Sequence, residues 1–310
     1  MTAMSTVKGA ERPCPVCGAR EHSPFAEERL DESQVTAFTY ASRKQPEFMC
    51  LRLVRCHGCD LVYAPAPPAP EFLSRAYSEA AYDSLEEARF AAESYAKALA
   101  PHLAELATLG AAVDVGAGSG PLLPWLKGKG FSPVVGIEPS AAAIAAAPAE
   151  VAPMLRPGMF SPDMLGDIRP SLVCSFMTLE HIWDPRDFVR SVFSVLEPGG
   201  MIAIVVHDWR APLNRLLSLR SPIIDVEHLQ LFSPRSLHAL LAGAGFDTIE
   251  QRAISNTYPL RYWLRLTPFP AGLKSGLGEM LERMRLTSLP LPMRVGNRLA
   301  VGLKPVRQKQ

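Results

Sequence analysis

Residues 111–126 read AAVDVGAGSGPLLPWL and join an apolar run to a glycine-rich turn and then to a helix-forming segment. The apolar run contains Asp114, and Gly116, Gly118 and Gly120 follow at alternate positions. Glycine lets the backbone adopt positive φ angles and approach a ligand closely. A glycine loop between a strand and a helix is typical of sites for nucleotide-like ligands, so NAD, a phosphate group and S-adenosylmethionine (SAM) are candidates here.

A second acid favours a ligand that contains ribose. Glu138 follows the apolar run 134–137 and lies eighteen residues beyond Gly120. An acid at the end of the next strand accepts hydrogen bonds from ribose hydroxyls. Asp114 lies just before the loop, where its carboxylate can orient loop amides or bind an ammonium group. NAD and SAM both fit these residues, so the pattern by itself leaves both open.

From residue 111 onward, apolar runs of strand length alternate with helical segments. Short connections between such units predict an α/β fold with a mostly parallel sheet, covered by helices on both faces. One helix has clear ends, because Ser233 is a capping residue, Pro234 suits the first turn and Gly245 stops the helix. Ligands of such sheets bind beyond the carboxyl ends of the strands. Strands are predicted at 112–115, 134–137, 154–156, 172–176, 201–206, 248–254 and 298–303.

Four of the six cysteines form two C-x-x-C pairs, Cys14 with Cys17 and Cys56 with Cys59. Two such turns supply the four tetrahedral thiolates that zinc prefers, and a long loop between them is entropically inexpensive. Because four thiolates leave no open position for water, we expect a structural zinc ion. The remaining two, Cys50 and Cys174, are predicted to be buried thiols.

The composition indicates a globular protein with one sizeable domain and a smaller attachment. The 310 residues are 48% hydrophobic and 20% charged, with a formal net charge of +1. Residues 251–310 hold eleven Lys/Arg and two Asp/Glu, which indicates either an anionic partner or a solvated helical surface. No apolar run approaches ~20 residues, and the N-terminus lacks an apolar signal-peptide core, so a cytoplasmic protein is predicted.

Composition shifts suggest three regions. Residues 1–65 form the predicted zinc module, and the proline-rich stretch APAPPAP at 64–70 closes it. The predicted region 66–110 then contains a linker and N-terminal helices, and 111–310 forms the main domain. Two insertions after strand ends, 208–225 and 257–286, are predicted to cover an acceptor molecule.

Four motifs, of which the first two contain the glycine loop and Glu138, resemble those of the class I SAM-dependent methyltransferases. They are VDVGAGSG, VGIEPS, SFMTLEHIWDPRDFVRSVFSVLEPGGMIAIVV and VEHLQLFSPRSLHALLAGAGF. The resemblance covers roughly residues 72–304. The N-terminal CPVCG and RCHGCDLVYAP resemble the zinc-binding module of some bacterial members, which include sugar, surface-glycan and secondary-metabolite methyltransferases. The resemblance implies a Rossmann-like sheet of seven strands whose last strand, here within 298–303, is antiparallel.

The resemblance also assigns a cofactor site. The loop from Asp114 to Gly120 would hold the methionine part of SAM, and Glu138 its ribose. Met159 and Phe160 stand where many relatives have an acid for adenine, so an apolar contact or Asp163 would replace that acid. In relatives, the strand that leads to the segment Leu179-Glu180-His181 usually begins with Phe-Asp, and here Pro170-Ser171 stands at that position. The predicted cofactor residues are Tyr77, Tyr82, Asp114, Gly116, Ala117, Gly118, Gly120, Glu138, Pro139, Met159, Phe160, Phe176 and Met177.

Candidate catalytic residues follow the later strands. They are His181, His207, Glu227 and His228. Histidine is a natural base near neutral pH, and a base is needed for a hydroxyl or a carbon acid but not for every amine. Turn shaping by His181 and loop anchoring by His228 are the structural alternatives.

The two insertions carry the candidate acceptor residues. The second holds a possible hydrophobic lid that is equally explained by helix packing, and both hold arginines able to bind a phosphate or carboxylate. The lid residues are Tyr258, Tyr262, Trp263 and Leu264, and the arginines are Arg210, Arg215, Arg220, Arg261 and Arg265.

The predicted function is methyl transfer from SAM to an oxygen, carbon or nitrogen of a small-molecule or sugar acceptor, with an anionic or nucleotide-linked acceptor as one option. No membrane insertion is predicted. An RNA methyltransferase is an alternative, although the charge-balanced zinc module lacks a basic–aromatic run and disfavours nucleic acid. A SAM-fold protein repurposed for a partner or another reaction is another.

Overall fold

The computed structural model describes residues 9–36, 38–41, 47–82, 85–267 and 269–306. Its strands are β1 (His22–Ala26), β2 (Leu53–Cys56), β3 (Val62–Tyr63), β4 (Ala111–Val115), β5 (Val134–Glu138), β6 (Leu155–Pro157), β7 (Pro170–Phe176), β8 (Met201–His207), β9 (Gln230–Leu231), β10 (Asp247–Pro259) and β11 (Pro290–Leu303). Its helices are α1 (Pro70–Ser78), α2 (Leu85–Leu99), α3 (Leu123–Gly128), α4 (Ala141–Ala145), α5 (Pro185–Val195), α6 (Pro212–Leu217), α7 (Pro234–Ala244), α8 (Leu260–Leu266) and α9 (Ala271–Arg283).

The larger sheet has seven strands in the order β10-β11-β8-β7-β4-β5-β6. Strands β4 to β8 pair in parallel, whereas β11 runs antiparallel between β8 and β10. The predicted α/β class and the antiparallel last strand are confirmed. Strands β10 and β11 are both longer than predicted. They continue as a two-stranded ribbon beyond the end of β8.

Side chains alternate between the two faces of this sheet, as the twofold period of a strand requires. Val113 and Val173 face the core formed with α5 and α7. Leu172 and Ala112 face the other core, which α2 and α3 complete. Leu123 of α3 is fully buried there. Burial of one such leucine stabilises the fold by about 1.5–3 kcal/mol.

Helix boundaries follow the capping residues. The Ser233 side chain accepts a hydrogen bond from the Ser236 backbone at the start of α7, Pro234 occupies the first turn, and Gly245 ends the helix at φ 100°. These three predicted positions are confirmed. None of the described helices combines the length and the apolar character required to span a membrane.

The N-terminal segment forms a smaller antiparallel sheet in the order β1-β2-β3-β9. Its last strand, β9, comes from the main domain, where Leu231 pairs with Val62 and Gln230 with Tyr63. The predicted module 1–65 therefore shares a sheet with residues far along the chain.

Candidate functional site

A cavity of about 520 Å³ lies at the carboxyl ends of the parallel strands. Two predicted cofactor residues, Asp114 and Gly120, do not line it. All other predicted cofactor and catalytic residues line the cavity. They are Tyr77, Tyr82, Gly116, Ala117, Gly118, Glu138, Pro139, Met159, Phe160, Phe176, Met177, His181, His207, Glu227 and His228.

The glycine loop is held directly by the acid at the end of β5. The Gly118 N–H donates to Oε2 of Glu138 at 2.7 Å, and the Ser140 N–H donates to Oε1 at 2.8 Å. Gly116 requires glycine, since it has φ 77° and a Cβ there would overlap the Thr178 side chain. At Gly118, φ is 58° and a Cβ would meet no atom within 4 Å. This part of the loop therefore presents bare backbone to the cavity.

The two apolar residues at the position predicted for adenine binding, Met159 and Phe160, lie on the cavity wall. Met159 is 45% exposed, and the ring of Phe160 packs edge-on against Phe188 at 5.5 Å between centroids. Both line the cavity, whereas Asp163 does not. Of the two replacements considered, the geometry favours the apolar contact.

Three histidines from separate parts of the sequence form one cluster. The ring centroid of His228 lies 5.0 Å from that of His181 and 5.2 Å from that of His207. Nδ1 of His181 lies 3.1 Å from the Tyr77 hydroxyl and 3.2 Å from the carbonyl oxygen of Glu227. The Glu227 carboxylate is 3.9 Å from the same nitrogen.

Hydrogen bonds assign the ring protons of two of these histidines. Nδ1 of His228 lies 2.9 Å from the Ile223 carbonyl oxygen, so this nitrogen is the donor. Nδ1 of His207 likewise lies 3.0 Å from Oδ1 of Asn297. In each neutral ring, Nε2 is then the nitrogen able to accept a proton. Burial, opposed by the Asn297 hydrogen bond and assisted by His181, lowers the pKa of His207 to about 4.

A buried acid connects the loop after β7 to the end of β8. Oε1 of Glu180 accepts the His207 backbone N–H at 2.6 Å, and the Glu180 carbonyl accepts the Leu229 N–H at 2.9 Å. Oε2 is buried without a partner among the described residues. Burial raises the pKa of Glu180 to about 7, despite the hydrogen bond from His207. Glu180 thereby joins the segments that carry His181, His207 and His228.

The four predicted metal ligands converge. The Sγ atoms of Cys14 and Cys59 are 3.5 Å apart, as are those of Cys17 and Cys56. All four sulfurs lie within 4.8 Å of one another. A tetrahedral zinc site with bonds of about 2.3 Å has edges of roughly 3.8 Å. The donor set and its spacing therefore fit zinc. Cys50 and Cys174 are buried thiols outside the cluster, as predicted.

The cysteine module is fastened to the loops that carry the histidines. Nε2 of Gln230, in β9, donates to the carbonyls of Leu179 and Ile182 at 2.7 Å each. Arg12 donates to the Trp183 carbonyl. The module therefore contacts the loop that contains His181 directly through Arg12 and indirectly through β9, which pairs with β3 of the module.

An ion pair strengthens this attachment. The Arg210 guanidinium donates to both carboxylate oxygens of Asp60 at 2.9 and 2.7 Å, and Arg55 donates at 2.7 Å. Although burial opposes it, these hydrogen bonds lower the pKa of Asp60. Arg210 also lies over the Trp209 ring at 4.1 Å. Arg210 therefore attaches the cysteine module to the main domain, and it does not line the cavity.

The remaining acceptor residues divide into two groups. Tyr258, Tyr262 and Trp263 line the cavity, whereas Leu264 does not. None of the predicted anion-binding arginines lines it: Arg210, Arg215, Arg220, Arg261 and Arg265 all lie elsewhere.

The sheet order and the glycine-loop geometry agree with a match to a known family. Residues 86–251, more than half of the chain, match a family described as a methyltransferase domain. The chain belongs to this methyltransferase family. Its seven-stranded sheet, with one antiparallel strand between β8 and β10, is the sheet that the resemblance to the class I enzymes implies.

Several solved structures are similar to this methyltransferase. A SAM-dependent methyltransferase from Thermotoga maritima, described as a possible histamine N-methyltransferase, is 19% identical, with 70% of this chain and 91% of that chain covered and a TM-score of 0.45. A SAM-dependent methyltransferase from Archaeoglobus fulgidus is 16% identical, covering 71% and 97%, with a TM-score of 0.47. Haemonchus contortus phosphoethanolamine N-methyltransferase 2, in complex with SAM, is 16% identical, covering 68% and 52%, with a TM-score of 0.43. No curated protein matches this chain.

Sequence reasoning missed part of the cavity wall of the methyltransferase. Asn297 and Asn256 lie on β11 and β10, and Nδ2 of Asn297 donates to Oδ1 of Asn256 at 2.9 Å. Both side chains are buried. Asparagine is depleted in strands, so its presence within two otherwise regular strands was the available signal.

Proposed function

We propose that this methyltransferase transfers the methyl group of SAM to a small-molecule acceptor, with the histidine cluster beside the acceptor. The observation that carries the proposal is one cavity that contains both the Glu138-held glycine loop and the three histidines. Bound SAM supplies an electrophilic methyl group on a sulfonium. The residues of this chain position the two reactants and accept a proton where the acceptor must lose one.

Glu138 and the loop are the proposed cofactor anchors. The Glu138 carboxylate already accepts two backbone N–H groups, and its cavity face suits ribose hydroxyls. Backbone at Gly116 and Gly118 would contact the methionine part. Met159 and Phe160 would contact adenine.

His228 is the proposed base. Its Nδ1 proton is held by the Ile223 carbonyl, which directs Nε2 to act as the proton acceptor. The Glu227 carboxylate lies near His181 and favours positive charge within the cluster. His207, with its pKa lowered to about 4, stays neutral and suits a hydrogen-bonding role.

We further propose that Cys14, Cys17, Cys56 and Cys59 bind one structural zinc ion. Four thiolates fill the tetrahedral positions, so the metal would contribute folding energy and no open coordination site. Its proposed effect on the reaction is indirect, through β9 and the loop that carries His181.

Internal pairing of much of the basic C-terminal segment disfavours the RNA alternative. Six of its Lys and Arg side chains bond to carbonyls or carboxylates of the chain itself, so they do not form a free cationic surface. They are Arg252, Arg261, Arg265, Lys274, Arg298 and Lys304.

Calorimetric titration with SAM and S-adenosylhomocysteine tests the proposed cofactor site. We expect micromolar binding that falls at least a hundredfold in Glu138→Ala. The matched control is Glu93→Ala, an exposed acid on α2, with unchanged affinity. Undetectable binding by the unmodified protein would overturn the proposal.

A screen for S-adenosylhomocysteine release from SAM and candidate acceptors tests the base. His228→Gln should lose at least a hundredfold in turnover of any hydroxyl acceptor found, with SAM affinity retained. His238→Gln, at an exposed position on α7, is the control and should turn over normally.

A further inference from the structure

Aromatic rings dominate one end of the cavity. Tyr258 lies 4.3 Å from Tyr262 and 5.1 Å from Trp263, measured between ring centroids. Tyr95 and Phe176 form a second pair at 5.2 Å. All five rings line the cavity and are largely buried. They provide the kind of rigid, apolar surface that accommodates another ring by stacking or edge contact.

Asn256 joins the two ring groups. Its Nδ2 lies 3.4 Å from both the Tyr95 hydroxyl and the Tyr258 hydroxyl. Leu266 and Val295 add aliphatic surface to the same end. We call this aromatic end, formed by the five rings with Asn256, Leu266 and Val295, the ring pocket.

The Tyr258 side of the ring pocket is remote from Glu138, whereas Phe176 on β7 lies nearer to the glycine loop. Tyr258 lies on β10, and Glu138 lies on β5 at the opposite side of the sheet, with β11, β8, β7 and β4 between them. The histidine cluster lies on the loops and strand ends between these two positions. A ligand part in the ring pocket is therefore on the acceptor side of the histidines.

The cavity wall carries carboxylates and the three histidines, but no permanently charged cation among the described residues. Among the described residues, no lysine or arginine lines it. Arg265 lies over the Tyr262 ring at 4.9 Å but outside the cavity wall. The carboxylates that line the cavity are Glu138, Asp184, Asp187, Asp225 and Glu227.

This charge distribution discriminates between ligands. A phosphate or carboxylate near Asp225 and Glu227 would meet like charge, and no lysine or arginine among the described lining residues would replace its hydration. An ammonium group would meet opposite charge, and aromatic faces attract cations as well. A neutral ring would gain the apolar contacts without a charge penalty.

We infer that the acceptor group held in the ring pocket is an aromatic ring system that is neutral or bears an amine, and that it carries no phosphate or carboxylate. The inference rests on the proposed methyltransferase function and narrows its substrate class. It replaces the anionic acceptor that the five arginines suggested, because those arginines do not reach the cavity.

Three probes with one ring and different charge test the inference: tyramine, 4-methylphenol and 4-hydroxyphenylacetate. Each is titrated calorimetrically into the full chain, with UDP-glucose as a nucleotide-sugar probe. We expect tyramine and 4-methylphenol to bind at least tenfold more tightly than 4-hydroxyphenylacetate and UDP-glucose. Equal or tighter binding of either anionic probe, or no binding of any phenolic probe, overturns the inference.

Variants separate the contribution of the aromatic rings to probe affinity from the contribution of the carboxylates. Trp263→Ala should weaken the binding of tyramine and of 4-methylphenol at least tenfold. Trp263→Phe should retain much of the affinity of the unmodified protein, which keeps the test valid even if the alanine variant folds poorly. Asp225→Asn should reduce the preference for tyramine over 4-hydroxyphenylacetate. Phe269→Ala, at a 46% exposed ring outside the cavity, is the control and should bind like the unmodified protein.

The two proposals fail in different ways. Every titration is run with and without S-adenosylhomocysteine. A protein that does not bind S-adenosylhomocysteine contradicts the proposed function, while the charge preference is still measured in its absence. A protein that binds S-adenosylhomocysteine and prefers the anionic probes contradicts only the inference about the acceptor.

Discussion

The side-chain oxygen of Asn297 lies 3.0 Å from Nδ1 of His207, and this contact sets which ring nitrogen carries the proton. Nδ2 of Asn297 is in turn held by Asn256 at 2.9 Å, so the amide is fixed with its oxygen toward the histidine. The groups that face His207 are the Glu180 carboxyl, the His181 and His228 rings and this amide. Residues of β10 and β11 therefore position a side chain on β8, the strand next to β11.

Replacement of Asn297 by aspartate should raise the pKa of His207. A carboxylate beside Nδ1 favours the imidazolium by about 1–3 pH units, from a starting value of about 4. NMR titration of the His207 ring, assigned with His207→Gln, measures the change. Asn297→Ala is the comparison, and the loss of the acceptor for the buried N–H should cost about 1–3 kcal/mol in unfolding free energy. An unchanged titration midpoint in Asn297→Asp would contradict the assigned contact.

Glu180 and His207 should affect the pH dependence of stability in opposite directions. The folded pKa of Glu180 is raised from 4.5 to about 7, so its contribution is lost as pH rises from about 4.5 through 7. The folded pKa of His207 is lowered from 6.5 to about 4, so its contribution is lost as pH falls from about 6.5 through 4. The two effects partly cancel between these limits.

Glu180→Gln removes one of these effects. When the pH is raised from 5 to 8, the unfolding free energy of the variant should increase by roughly 2–3 kcal/mol relative to that of the unmodified protein. Urea unfolding at the two pH values measures this difference. Glu93→Gln, at an exposed acid, should show no such gain. A pH-independent difference between Glu180→Gln and the unmodified protein would refute the raised pKa.

Alanine at Gly118 should weaken SAM binding with a modest loss of stability. The positive φ costs a residue with a Cβ about 1–2 kcal/mol, and the added methyl meets no protein atom within 4 Å because it projects into open space. Gly116→Ala should destabilise the fold more, since the methyl overlaps Thr178. Thermal unfolding and calorimetry measure the two effects. Gly243→Ala, within α7, should leave SAM affinity unchanged, and equal SAM affinity in Gly118→Ala would exclude this backbone as a contact.

Loss of zinc should impair the acceptor side more than the cofactor side. We expect about one zinc ion per chain by elemental analysis, and none in a variant with Cys14→Ser and Cys17→Ser. Because β9 and Gln230 connect the module to the histidine loops, acceptor turnover should fall at least tenfold, while SAM affinity changes less than about threefold. Cys50→Ser, outside the cluster, should keep its zinc. Full turnover without zinc would show that the module does not position the histidines.

The glycine loop, the alternating elements and the helix caps were predictable because each depends on local chemistry. The strand–glycine–helix pattern at 111–126 and the acid at Glu138 fixed the class of fold and the edge of the sheet where ligands bind. The two C-x-x-C pairs predicted the cysteine cluster because each pair is a short turn. Short-range spacing carries such information, since backbone geometry determines it.

Only the tertiary structure decided which distant residues meet. Asn297 reaches His207 because β11 inserts antiparallel beside β8, and no local pattern specifies that neighbour. Gln230 joins the cysteine module because the two-residue strand β9 pairs with β3, where Tyr63 lies 167 residues earlier in the chain. The arginines that suggested an anionic ligand lie outside the cavity, since side-chain direction depends on packing that charge counts do not contain. The sequence therefore determined the class of fold and the position of the glycine loop, whereas long-range packing determined which residues line the rest of the cavity and what charge they carry.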